Sequence, residues 1–122
     1  MTEYNLIDSS LWIDYLINGN HKDLIESEKK LLLATISIIE IRKKLNRLNI
    51  SKKEAWRKID YIKKRSILIS LDEKIADKAS QLIVEKEIHL ADSIVYASAM
   101  LNNATLLTLD NDFRSLDGAE VL

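Results

Sequence analysis

Short apolar runs alternate along the whole chain with longer segments that repeat their apolar residues at helical spacing. This alternation constrains the fold most, because strands separated by helices favour a parallel sheet that is covered on both faces. Strands are predicted at residues 4–7, 31–34, 67–71 and 104–109, with a fifth at 119–122. Helices are predicted at residues 9–17, 21–27, 37–48, 51–64, 72–86 and 90–102, with Ser51 as an N-cap and another N-cap at or near Asp72. We therefore expect an α/β fold.

Composition excludes several kinds of chemistry. The chain has no cysteine, so disulfides, thiolate zinc sites and cysteine nucleophiles are excluded. His21 and His89 are the only histidines, which gives poor support to a histidine-rich zinc site or a two-histidine ribonuclease. No linker or repeat divides the 122 residues, so residues 1–122 are predicted to form a single domain. With no signal-peptide pattern and no membrane-spanning apolar run, a cytoplasmic protein is expected.

Charge is unevenly distributed although the formal net charge is only −1. Residues 42–65 contain eleven lysines and arginines, opposed only by Glu54 and Asp60. Such a segment can attract a polyanion to one face of the protein, and it is equally well explained as the solvated faces of two helices. The charge pattern alone leaves both interpretations open.

Acidic residues follow two of the predicted strands. Asp8 comes directly after the first strand, and Asp110 and Asp112 follow the fourth. In open parallel sheets, ligands bind beyond the carboxyl ends of the strands, at the point where the strand order reverses. If the first and fourth strands flank that point, Asp8 and Asp110 face each other. Each acid also has a structural explanation, as a helix N-cap for Asp8 and a polar turn for the other two.

Two further acids lie in apolar surroundings. Asp92 begins an otherwise apolar stripe on its helix, where an isolated carboxylate is costly unless it is paired or bound to a metal. Glu40 is the only acid of its apolar segment, and a surface pair with Lys43 or Lys44 is the plain alternative. Carboxylates that lie close together repel each other unless a cation is bound, and oxygen ligands suit Mg²⁺ or Mn²⁺.

Four segments together resemble the sequence motifs of PIN-domain proteins, especially the VapC-type toxins of toxin–antitoxin pairs. They are residues 7–16 (IDSSLWIDYL), 35–40 (TISIIE), 90–99 (LADSIVYASA) and 106–113 (LLTLDNDF). The segments occur in the order found in that family and extend over most of the chain.

The resemblance implies a PIN-like three-layer sandwich around a parallel five-stranded sheet of order 3-2-1-4-5. It implies Mg²⁺- or Mn²⁺-dependent RNA cleavage by an activated water, with Asp8, Glu40, Asp92 and Asp110 as catalytic and metal-binding acids. Ser10 and Thr108 become supporting hydrogen-bonding residues and Asp112 an auxiliary acid; which of Asp110 and Asp112 binds the metal directly stays open. The resemblance also implies a homodimer and a VapB-like antitoxin that covers the active site.

An endoribonuclease toxin is therefore the leading hypothesis, with RNA bound near the acids and along residues 42–65. The alternatives are a PIN nuclease of RNA processing or quality control, and a non-catalytic PIN-like interaction module. Trp12, Tyr15 and Trp56 are expected to pack in the core or in a dimer rather than stack on bases. Antitoxin contacts are hypothesised near the first helix and the helices of residues 42–65, and Trp12→Ala and Trp56→Ala would test them. The RNA target, the number of metal ions and the oligomeric state cannot be read from the sequence.

Overall fold

A computed structural model describes residues 4–122, so the first three residues of the predicted domain lie outside the described part. Five strands are present: β1 (Tyr4–Ile7), β2 (Lys30–Ala34), β3 (Ser66–Ile69), β4 (Ala104–Thr108) and β5 (Ala119–Val121). The helices are α1 (Ser9–Asn18), α2 (Lys22–Ile25), α3 (Thr35–Arg47), α4 (Lys52–Arg65), α5 (Glu73–Lys86) and α6 (Leu90–Leu101). A short 3₁₀ helix, Asn111–Phe113, follows β4.

All five strands lie in one parallel sheet of order β3-β2-β1-β4-β5, which confirms the predicted order. The strand β1 lies between β2 and β4, and its Leu6 is in register with Leu32 on one side and Leu106 on the other. The chain runs from β1 outwards in one direction and later returns to the other side of β1. The sheet order therefore reverses at β1 and β4, where the carboxyl ends of both strands point the same way.

Alternate residues of the same strands enter two separate apolar cores, as the two-residue period of a strand requires. Leu6 and Leu106 pack against residues of α5 and α6. Ile7 and Leu107 pack on the opposite face against α1, α3 and α4. Helices thus cover both faces of the sheet, which confirms the predicted three-layer α/β architecture.

Local hydrogen bonds set several element boundaries. The Ser51 and Asp72 side chains accept the Glu54 and Ile75 amides, so these residues cap α4 and α5 as the sequence indicates. The predicted fourth strand is one residue too long, because the Leu109 amide donates to the Ser10 hydroxyl instead of a neighbouring strand. No helix within residues 4–122 combines the length and the apolarity needed to cross a bilayer.

Candidate active site

Five acidic residues are brought to the carboxyl edge of the sheet by four different segments. Asp8 follows β1 and precedes α1, Glu40 lies in the second turn of α3, and Asp92 lies in the first turn of α6. Asp110 and Asp112 belong to the turn after β4, where Asp110 precedes the 3₁₀ helix and Asp112 lies within it. We call these five residues the acid cluster.

Asp8 is the most firmly held member of the acid cluster. Its side chain is only 5% exposed, and its Oδ2 accepts hydrogen bonds from Ser10 Oγ at 2.8 Å and Thr108 Oγ1 at 2.7 Å. The Ser10 oxygen accepts the Leu109 amide, and the Thr108 oxygen accepts the Asp110 amide, each at 3.0 Å. Each hydroxyl therefore gives its single proton to Asp8 and is itself oriented by the backbone after β4.

Asp8 occupies the N-cap position of α1 without a side-chain capping hydrogen bond. Its carbonyl oxygen begins the helix by accepting the Leu11 and Trp12 amides, while its own amide donates to Leu107 on β4. The carboxylate is thus directed away from the helix backbone and towards the edge of the sheet. A capping role does not account for this side chain.

Asp110 and Asp112 lie beside Asp92. One carboxylate oxygen from each of the three residues lies within 4.8 Å of the other two, a spacing that suits a shared metal ion. Asp110 Oδ1 also accepts the Asp112 amide at 2.9 Å and so caps the short 3₁₀ helix. The turn after β4 therefore presents two carboxylates to Asp92 rather than one.

Burial and mutual repulsion raise the pKa values of two members of the acid cluster. Burial raises the pKa of Asp92 from 3.8 to about 6, with further increases from the nearby Asp110, Asp8 and Asp112 carboxylates, while His89 opposes the shift. The pKa of Glu40 is also raised, first by burial and then by Asp8, Asp92 and Asp110. These interactions connect Glu40 electrostatically with the rest of the cluster.

Glu40 has no ion pair with Lys43 or Lys44 in the part of the chain that the structure describes. Its Oε1 instead accepts a long hydrogen bond from Ser9 Oγ, at 3.4 Å, which lowers its pKa slightly against the larger effect of burial. The alternative interpretation of Glu40 as a partner of a surface lysine is therefore wrong. Ser9 was not among the site residues predicted from the sequence, although its position between Asp8 and Ser10 indicated that it lies close to the site.

The residues present fit a hard divalent cation. All the donor atoms of the acid cluster are carboxylate oxygens, the ligands that Mg²⁺ and Mn²⁺ prefer. Beyond the effect of burial, neighbouring carboxylates add to the raised pKa values of Asp92 and Glu40, as expected where negative charge is in excess. A bound cation would offset that excess.

The two tryptophans lie in different surroundings. Trp12 is 0% exposed and packs edge-on against Tyr15 and Tyr61, with ring centroids 6.0 and 6.4 Å apart. It belongs to the core, as expected, so antitoxin contacts near the first helix would have to be made by other residues. Trp56 on α4 is 60% exposed.

The basic segment of residues 42–65 forms the second half of α3 and all of α4. Part of its charge is engaged in structure: Arg65 donates to the Ile25 and Ser27 carbonyls, and Lys64 pairs with Asp60 at 2.9 Å. Lys44 is the member that lines a cavity together with Glu40. Lys44 is therefore the residue of the segment that shares a cavity with a member of the acid cluster.

Comparisons with known proteins agree with this fold. The family model of the PIN domain matches residues 6–119. No match was found among curated proteins. Among solved structures, a toxin–antitoxin complex from Klebsiella pneumoniae is 21% identical, with a TM-score of 0.76 and 96% of each chain covered.

Two other structures show the same fold similarity. VapBC2 from Rickettsia felis, bound to a promoter DNA fragment, is 17% identical, with a TM-score of 0.79 and 98% of each chain covered. VapC20 from Mycobacterium tuberculosis, described as a toxin that cleaves the sarcin–ricin loop, is 14% identical, with a TM-score of 0.74. That comparison covers 93% of this chain and 95% of the toxin.

Proposed function

The chain belongs to the PIN domain family, and from this membership we propose that residues 1–122 form one domain that acts as a metal-dependent endoribonuclease, the VapC-type toxin of a toxin–antitoxin pair. The observation that carries the proposal is the acid cluster, in which five carboxylates from four segments converge at the strand ends β1 and β4. The similarity to structures of toxin–antitoxin complexes supports the toxin over an enzyme of RNA processing or quality control.

We assign Asp8, Glu40, Asp92 and Asp110 as the metal-binding and catalytic acids, with Asp112 as an auxiliary acid. A Mg²⁺ or Mn²⁺ ion bound there would supply a water of lowered pKa and a positive charge for the phosphate. Ser10 and Thr108 both donate to Oδ2 of Asp8, so Oδ1, which has no hydrogen-bond donor within residues 4–122, is free to bind the cation. These two residues hold the Asp8 carboxylate in one orientation.

We further propose that the antitoxin occupies the groove between α3 and α4. Ile38, Ile39 and Trp56 contribute to an apolar surface there, with Arg42 and Lys52 at its margin, around a cavity of about 640 Å³. Ile39 and Trp56 are 68% and 60% exposed and line the same groove, so they contribute to one apolar patch, which is the kind of surface that marks an interface. The basic margin suits a partner segment that combines apolar and acidic side chains. A homodimer completes the proposed assembly.

Cleavage of RNA by the purified protein tests the proposed function. We expect cleavage with Mg²⁺ or Mn²⁺, inhibition by EDTA, and a loss of about 100-fold or more in Asp8→Asn. The 5′ ends of the fragments, mapped by sequencing after brief expression, would identify the target. Asp23→Asn is the matched control, because Asp23 is exposed on α2 and lies outside the acid cluster.

Calorimetric titration with Mn²⁺ separates the enzyme from a non-catalytic module. Binding that is lost in Asp8→Asn and kept in Asp23→Asn supports the proposal. RNA cleavage that needs no metal and persists in Asp8→Asn would contradict the mechanism. A protein that binds no metal at millimolar concentration and cuts no RNA would instead be an interaction module.

A further inference from the structure

Two separate cavities adjoin the acid cluster. One has a volume of about 490 Å³ and is lined by Asp92 and Asp112 together with residues of the turn between α5 and α6. The other has a volume of about 330 Å³ and is lined by Glu40, Ser9 and Ser10. They share no lining residue, and each is within the size range of sites that hold small organic groups. We call them the Asp112 cavity and the Glu40 cavity.

The sheet order separates the two cavities. Glu40 lies on the helix that follows β2, and Asp112 lies in the turn that follows β4. Because β2 and β4 pair with opposite sides of β1, these residues flank Asp8, which follows β1. The acids that raise the pKa of Glu40 are Asp8, Asp92 and Asp110, whereas Asp112 acts on Asp92 instead. The two cavities therefore adjoin different ends of the acid cluster.

Each cavity contains one lysine. Lys44 lines the Glu40 cavity one helical turn beyond Glu40, and it forms no ion pair with that residue in the described part of the chain. Lys86, in the last turn of α5, lines the Asp112 cavity together with His89. Glu87 also lines that cavity, so its wall carries charges of both signs. Within residues 4–122 neither lysine forms an ion pair with the member of the acid cluster that shares its cavity, so pairing inside the cluster does not explain them.

We propose that a single-stranded RNA crosses the acid cluster from one cavity to the other, with Lys44 and Lys86 contacting phosphates on opposite sides of the bond that is cut. The proposal rests on the ribonuclease function and adds the path of the substrate to it. The phosphate at the cut would lie at the acid cluster, where a bound cation offsets the negative charge. The two lysines would neutralise the phosphates on either side of it. His89 offers an additional N–H donor beside Lys86.

The groove between α3 and α4 is a different surface. Its lining includes Arg42 and Lys43 but neither Lys44 nor Lys86. An effect of the two lysines on substrate binding can therefore be measured with the groove unchanged.

The test combines lysine substitutions with chemically altered RNA. The substrate is an RNA oligonucleotide that contains a site cut by the wild-type protein in total RNA, prepared with a single uncharged methylphosphonate at each position near the cut. The variants are Lys44→Met and Lys86→Met, and Lys78→Met, also on α5 but outside both cavities, is the matched control. All three residues lie on helix surfaces, so the variants are expected to fold.

We expect Lys44→Met and Lys86→Met to lower kcat/KM several-fold, and to reduce the slope of log kcat/KM against log salt by about 0.7 each. For each lysine, one methylphosphonate should impair the wild type and leave the corresponding variant unaffected, which is the sign of a direct contact in a double-mutant cycle. The two sensitive phosphates should lie on opposite sides of the cut. Lys78→Met should behave as the wild type.

The outcomes distinguish the path from the function. A wild-type protein that cuts no RNA contradicts the proposed function. A wild-type protein that cuts RNA, with no phosphate coupled to either lysine or with both coupled on the same side of the cut, overturns the path alone.

Discussion

At the residue scale, the orientation of Asp8 depends on two hydroxyl groups that sequence analysis could assign only by family resemblance. Ser10 and Thr108 both donate to Asp8 Oδ2, and both accept amides from the segment after β4. Sequence position places Ser10 beside Asp8, because the two residues are two positions apart at the start of α1. It does not place Thr108 there, because that contact depends on the pairing of β1 with β4.

Thr108→Val should impair both metal binding and stability. The substitution keeps the side-chain shape but removes a donor to Asp8 and an acceptor for the Asp110 amide in a fully buried position. We expect a loss of about 1–3 kcal/mol in the free energy of unfolding, measured by urea denaturation. Metal affinity should fall about 10- to 100-fold in calorimetry, as for other residues that orient a ligand.

Thr108→Ser is the control for this substitution, since it keeps the hydroxyl and loses only a methyl group. It should retain most of the metal affinity. A Thr108→Val variant that binds metal as tightly as the wild type would show that Asp8 does not need this donor.

At the element scale, the packing of α1 against α4 explains why the two tryptophans differ. Trp12 and Trp56 both lie on amphipathic helices, and periodicity alone favours burial for each. Tyr15 and Tyr61 stack with ring centroids 6.3 Å apart and enclose Trp12. Trp56 lies on the other side of α4, beside the groove to α3. Sequence cannot distinguish them, because the distinction depends on which helices become neighbours.

Trp56→Ala should weaken binding of the antitoxin and spare RNA cleavage. An exposed tryptophan beside an apolar groove has the character of an interface hot spot, for which truncation costs about 2 kcal/mol or more. We expect an affinity loss of about 30-fold, measured by calorimetry with the cognate antitoxin. Val84→Ala is the control, because Val84 is 81% exposed on α5, outside the groove. Equal affinities for the wild type and Trp56→Ala would exclude this groove as the antitoxin site.

At the scale of the whole molecule, the fold was predicted well because the local sequence patterns all favour the same architecture. Short apolar strands, helical periodicity and the caps Ser51 and Asp72 all indicate what the structure has, which is one parallel sheet with helices on both faces. The convergence of the acids at the strand ends follows from that topology. Their separations and the two adjoining cavities do not, because side-chain rotamers and helix positions determine them.

Global stability of the metal-free protein should increase as the pH falls from 7.5 to 5.5. The pKa of Asp92 is about 6 in the folded protein and 3.8 ordinarily, so in this range the folded state binds a proton that the unfolded chain does not. Protonation relieves the repulsion with Asp110, Asp8 and Asp112. The measurement is urea denaturation in EDTA at both pH values.

Asp92→Asn should be more stable than the wild type at pH 7.5 and show a weaker dependence on pH. The difference between the two proteins isolates the contribution of Asp92 from that of the other ionisable groups. Parallel pH profiles of the wild type and Asp92→Asn would show that Asp92 ionises normally.

The hydrogen bond from Thr108 to Asp8 joins residues that are 100 positions apart. The ribosome adds Asp8 at the beginning of synthesis and Thr108 near the end. A growing chain therefore contains the first member of the acid cluster long before the strand that orients it. Until β4 has emerged, β1 also lacks one of its two neighbours in the sheet. If the protein cuts RNA as proposed, its acid cluster is assembled only when synthesis is nearly complete, and an unfinished polypeptide is expected to be inactive.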